Sequence, residues 1–237
     1  MCPQRERMMR QAFGLGLLVA LVVLALSACG GGGEAGGQEE EAKACPLPHD
    51  PGVLRPGQYH SVDFKPSLSF HVGKGWSASD QTASVDFAIS AQGETQWVGF
   101  TNVQKVYEPT KKGTSTIESK VVKAPEDLIG WFQDHPYLKT SKPESVTVGG
   151  VKGEQIDMVV EVPEGYYGAC GSGCMDFYWL GGGEPMAWED GDKVRIIVLD
   201  VKGETVTVDS SVSEASEFDE FMTEAQKVVD SVRWGGS

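Results

Sequence analysis

Asparagine is almost missing from this chain: Asn102 is the single one among 237 residues. Selection against thermolabile side chains would produce that scarcity, and a biased genome composition explains it equally well, so it decides nothing about function. Basic residues are also few. Lysine and arginine number 20 against 34 acidic residues, a net charge of −14. Binding of nucleic acid depends on Lys and Arg neutralising phosphates, and docking on anionic lipid needs the same charges, so neither partner is expected. The acidic excess reads as solubility rather than as a cation-binding role. Histidine is sparse: His49, His60, His71 and His135 stand singly. No His-Glu-x-x-His pair, Gly-x-Ser-x-Gly elbow or phosphate loop occurs. Gly181-Gly182-Gly183 lacks the Lys-Ser/Thr of a phosphate loop, and Asp190-Gly191-Asp192 lacks the spacing and final Glu of a calcium loop, so it reads as a turn. No cofactor is expected, and no catalytic, cofactor-binding or metal-binding residue is assigned.

What is present begins with a leader. Residues 1–11 carry Arg5, Arg7 and Arg10 against Glu6 alone, and residues 12–26 carry no charge. That apolar run falls short of the roughly 20 residues a membrane span needs. A basic start, a short apolar centre and small residues at the end are the marks of a secretory signal peptide. The stretch ends in Leu26-Ser27-Ala28-Cys29, which resembles the lipobox of bacterial lipoproteins. The resemblance implies cleavage before Cys29, a diacylglycerol on its sulfur, and a place on the extracytoplasmic face of the cell membrane. The plainer alternative is an ordinary cleaved signal with an incidental cysteine. Two acyl chains hold stably where one holds marginally, at about 0.8 kcal/mol per buried methylene.

Residues 30–44 are rich in Gly and Glu and hold no large apolar side chain, so they cannot offset their ordering entropy. They read as a flexible tether spanning on the order of 20 Å. The expected organisation is therefore a signal peptide over 1–28, a lipid-anchored disordered tether over 29–44, and a single globular domain over 45–237. Loss of the leader, with three Arg and one Glu, takes the chain from −14 to about −16.

Of five cysteines, Cys2 leaves with the leader and Cys29 takes the lipid, so Cys45, Cys170 and Cys174 remain. Thiols outside the cytoplasm tend to oxidise, and Gly171-Ser172-Gly173 gives the intervening chain room to turn. A local Cys170–Cys174 disulfide is expected on that ground. So short a loop removes little unfolded-state entropy, so the bridge would shape the loop more than stabilise the fold. A thioredoxin-type pair needs two intervening residues in a βαβ setting, and zinc needs further ligands; neither pattern is present. Cys45 is either free or paired with one member of the loop. Aromatics flank the loop, and Tyr166, Tyr167 and Trp179 form a candidate binding patch, since interfaces favour Tyr and Trp. The competing reading puts Phe177 and Trp179 in the core as alternate members of a strand.

Alternating apolar and polar residues predict strands over 59–64, 68–72, 85–89 and 97–103. Hairpins are predicted at Gly149-Gly150, Asp190-Gly191 and Gly203. The twin segments Val151-Lys152-Gly153-Glu154 and Val201-Lys202-Gly203-Glu204 both read as turn chemistry. A helix is predicted over 125–134, opened by Pro125, with Leu128, Trp131 and Phe132 on one face. A second is expected to open on a capping box of Ser216 and Asp219 and to carry the stripe Phe218, Phe221, Ala225, Val228, Val229 and Val232. These elements predict an α+β fold: a mostly antiparallel β-sheet packed against a short middle helix and a longer C-terminal amphipathic helix.

Ser67-Leu68-Ser69-Phe70-His71-Val72-Gly73-Lys74-Gly75-Trp76, Val146-Thr147-Val148-Gly149-Gly150-Val151-Lys152-Gly153 and Glu224-Ala225-Gln226-Lys227-Val228-Val229-Asp230-Ser231-Val232 resemble the Mog1/PsbP-like fold. They also resemble uncharacterised actinobacterial extracytoplasmic domains, including the mycobacterial LpqN-type lipoproteins. The resemblance implies a binding or assembly module and transfers no catalytic residue. Two functions from different classes follow. One is a membrane-tethered, non-enzymatic binding domain with an envelope-protein or small-molecule partner. The other is a cell-envelope hydrolase whose active site is assembled from residues distant in sequence.

Overall fold

The computed structural model describes residues 44–79, 86–91, 95–109, 120–168, 171–180 and 185–235. The leader, Cys29, the tether up to residue 43, and Cys170 lie outside the described residues. In chain order the elements begin with β1 (Cys45–Pro46), β2 (Gly52–Val53), β3 (Gly57–His60), β4 (Leu68–Val72), β5 (Trp76–Ala78), β6 (Asp86–Ala91), β7 (Gln96–Asn102), β8 (Lys105–Tyr107) and β9 (Val121–Lys123). Then come α1 (Leu128–Gln133), β10 (Leu138–Thr140), β11 (Glu144–Val148), β12 (Val151–Val160), β13 (Tyr167–Gly168), β14 (Gly171–Ser172), β15 (Cys174–Trp179) and β16 (Pro185–Glu189). The chain closes with β17 (Lys193–Val201), β18 (Glu204–Val212), α2 (Phe218–Asp230) and β19 (Arg233–Trp234).

The expected α+β arrangement is overturned. Nineteen described strands in several sheets stand against two α-helices, so the molecule is sheet-rich rather than one sheet backed by helices. The reason lies in the short strands. β1, β2, β5, β8, β9, β10 and β19 are two or three residues long. A run that short has no period to read; a neighbouring strand supplying hydrogen-bond partners makes it a strand.

A nine-stranded sheet, ordered β10-β12-β17-β18-β7-β6-β5-β2 with β11 beside β12, forms the central wall, and all its pairings are antiparallel. Successive side chains alternate across a strand, and here both faces are covered. One face carries Phe87, Ile89, Val98, Phe100, Val206, Val208 and Ile197 into a core shared with Phe70 and with the apolar stripe of α2. The other carries Ile156, Met158, Val194 and Ile196 into a second core with Leu128 and Phe132 of α1 and with Phe177, Tyr178 and Trp188. Those last three belong to a four-stranded sheet, β16-β15-β8-β9.

Several local expectations fare differently. All six residues of the α2 stripe are buried, and the Phe221 ring lies 6.0 Å from that of Trp76. The capping box does not form: Ala215–Glu217 is a 3-10 turn, and Glu217 precedes α2 with no side-chain cap. Glu217 instead accepts a hydrogen bond from Gln96 Nε2 at 2.9 Å. Helix α1 starts at Leu128, later than Pro125, because the Asp127 carboxylate caps it by accepting from the Gly130 N–H at 2.7 Å. Gly149-Gly150, with φ of 57° and 83°, does turn β11 into β12. Val151–Glu154, by contrast, lies inside β12, where Gly153 lets the Val198 carbonyl approach; a Cβ there would be 2.2 Å from its oxygen. The Asp190-Gly191 turn does not close a hairpin. It carries the chain from the small sheet to the large one, since β16 pairs with β15 while β17 pairs with β12 and β18.

Candidate functional site: a cleft over a buried carboxylate

The register of the central wall sets one row of side chains after another on its second face. Asp209 of β18 stands opposite Gly99 of β7, which stands opposite Ala88 of β6. One row on, Ser211 pairs with Trp97. Asp209, Ala88, Ser211 and Trp97 floor a cleft of about 280 Å³ whose wall is Met186, Ala187, Trp188 and Glu189 of β16, with Asp192 and two further serines, Ser79 and Ser213, completing it.

Asp209 is the unusual member. It is 2 % exposed, and its Oδ1 makes no hydrogen bond among the described residues. The carboxylate lies flat over Gly99; a Cβ on that glycine would sit 2.5 Å from Oδ1 and 2.9 Å from Oδ2. A charged group out of water without a partner is costly, and burial pushes the Asp209 carboxyl up to about 7. The completely buried Tyr178 phenol lies near enough for burial first, and then the Asp209 charge, to hold it well above its ordinary value of 10.0. Asp192 is raised to about 6, chiefly by burial. Its Oδ2 is committed to the turn, accepting the Glu189 N–H at 2.8 Å. Chemically, the cleft offers a fixed acceptor with protonation poised near neutrality, two indoles and several hydroxyls.

The residues singled out from sequence lie elsewhere. Tyr166 is buried in the second core, whereas Tyr167 is 55 % exposed. Trp179 is half-buried beneath Lys105, whose Nζ lies 4.3 Å from the ring centroid. None of the three lines the cleft over Asp209. Cys45 and Cys174 are both disulfide-bonded, and with Cys170 outside the described residues the Cys170–Cys174 pairing stays an expectation. His135 is buried among the Trp131, Tyr137 and Phe177 rings, and burial lowers it to about 4. His49 lies 3.8 Å from Asp63 on the surface. Among the described residues no hydrogen bond joins a histidine ring to a hydroxyl or thiol.

Asp209 was not found from sequence. Thr205-Val206-Thr207-Val208 reads as a strand with one wet face, yet Thr207, Asp209 and Ser211 are all buried. A cue did exist in the neighbouring strand. Ile196-Ile197-Val198-Leu199 has no polar face, which marks a strand covered on both sides.

No protein-family model matches the chain, and no curated protein sequence matches it. Among solved structures, the solution structure of cyanobacterial PsbP (CyanoP) from Synechocystis sp. PCC 6803 is similar at 13 % identity and a TM-score of 0.40, over 77 % of this chain and 94 % of that one. Likeness of that degree assigns neither a family nor an activity.

Proposed function

We propose that this chain is a membrane-tethered extracytoplasmic lipoprotein whose folded domain is a non-enzymatic binding module, with the cleft over Asp209 as its recognition site. The observation that carries the reading is Asp209, a lining residue of a cleft with aromatic walls, whose buried Oδ1 has no hydrogen bond among the described residues. Unsatisfied buried polar atoms are rare in folded chains and need a partner. The tether rests on the likeness of Leu26-Ser27-Ala28-Cys29 to a lipobox. In the Cys29→Ala variant the protein is expected to leave the membrane fraction for the soluble one; retention as strong as in the parent would refute the anchor. For the site, thermal-shift measurements on the full chain would compare cationic, neutral and anionic small molecules. A class that raises the melting temperature of the parent but not of Trp97→Leu supports the cleft; no response from any class removes it.

One observation keeps the hydrolase as a second reading: Asp209 and Asp192 line the same cleft, and both are raised toward neutrality by burial. Pairs of carboxyls tuned apart serve as acid and base in other enzymes. Binding is preferred because Asp192 is already spent on its turn.

A further inference from the structure

We propose that the cleft takes a small organic ammonium ion bearing apolar groups, its cationic head on the Asp209 carboxylate and its body against Trp97, Trp188 and Met186. The inference rests on the reading of this cleft as a binding site and adds the chemistry of the guest. Sign comes first. Among the described residues the lining includes Glu189, Asp192 and Asp209 and no Lys or Arg, so an anion is repelled and a cation drawn in. A bare metal ion lacks ligands, because among the described residues no three His, Cys, Asp or Glu side chains are placed to hold one. The walls then choose between kinds of cation. Indole faces attract organic cations, more strongly when water is excluded, and a thioether accommodates an irregular apolar body. The volume of about 280 Å³ is at the small end for ligand sites, so the guest is small.

Asp209 makes the choice sharper. Gly99 leaves the space in which the carboxylate lies, and a buried carboxylate is tolerated either protonated or paired. Among the described residues nothing donates to Oδ1. An ammonium N–H supplies the donor and the opposite charge together, whereas a sugar hydroxyl supplies a donor alone. When the guest meets a protonated Asp209, the carboxyl proton leaves to solvent and the N–H of the ammonium takes its place at the oxygen. The groups facing this exchange are the Tyr178 phenol from β15, which stays protonated, Asp86 one row away on β6, and Asp192 and Glu189 at the end of β16. Among the described lining residues none is basic.

The test is calorimetric titration of the full chain with benzylammonium and with benzyl alcohol, its uncharged counterpart of similar shape. A hydrogen bond to a charged group implies that the ammonium binds roughly tenfold or more tighter. That preference is expected to grow between pH 5.5 and 7.5 and to vanish in Asp209→Asn. Equal affinity for the two probes overturns the proposal, as does a preference that survives Asp209→Asn. Should that variant not fold, the comparison on the parent chain decides alone. If neither probe binds while another class still gives the Trp97-dependent thermal shift, the ammonium assignment falls and the binding site stands; if no class does, both fall.

Discussion

Asp209 lowers the stability of the fold it occupies. Its folded carboxyl holds a proton up to about 7, against 3.8 ordinarily. The native state therefore binds that proton more tightly than the unfolded chain, and stability declines as pH rises from about 4 to about 7. At 1.36 kcal/mol per unit the decline is on the order of 4 kcal/mol. Asp192 declines with it over the lower part of the window, from 3.8 to about 6. His135 acts in the opposite sense: held down at about 4 from 6.5, it contributes stability above 6.5 that is lost as pH falls toward 4. Asp209→Asn is expected to remove the carboxyl's share, so urea midpoints of variant and parent should diverge between pH 4.5 and 7.5, with the variant gaining. Parallel profiles would show that Asp209 does not titrate in this window. A single residue of this kind is illegible in sequence, because its burial depends on which strands flank it and on a glycine in the strand opposite.

At the scale of elements, legibility follows periodicity. The stripe from Phe218 to Val232 repeats often enough to declare one apolar face, and every member is buried. Phe221→Ala is expected to cost about 3–5 kcal/mol in denaturant unfolding, as for other buried phenylalanines; a loss below about 1 kcal/mol would mean that α2 does not contribute to the first core as its contacts indicate. Helix ends were less legible, since capping depends on side-chain reach: Asp127 caps α1, while Ser216 caps nothing. The Asp190-Gly191 turn shows the same limit among strands. Its chemistry was readable, with Gly191 at φ 89°, but not the divergence of the strands it joins. Asp190 explains part of it by accepting the Val162 N–H at 2.8 Å, which ties the turn to the end of β12 rather than closing a hairpin.

For the whole molecule, the decisive fact is one wall with a core on each side. Periodicity favoured the two helices because they carry the longest regular patterns, and so it overstated their part. Strands of two or three residues, which complete the sheets, carry no pattern at all. A shared wall also couples the cores: Ile196 faces the second and Ile197 the first, side by side in β17. Loss of either core exposes strands that the other needs, so unfolding is expected to be one cooperative event. Fluorine-labelled tryptophan resonances should report it, with Trp76 in the first core and Trp188 in the second losing their native signals at the same urea concentration. Two separate midpoints would show that the cores unfold independently.

The two sides of the cleft are not built alike. Its floor belongs to strands hydrogen-bonded on both sides, while β16, its wall, is among the described residues an edge strand bonded to β15 alone. Parting one ladder costs less than parting two. What holds the wall instead is Trp188, whose ring centroid lies 4.7 Å from that of Phe177 inside the second core. The wall of the cleft is therefore only as durable as the second core, and melts with it.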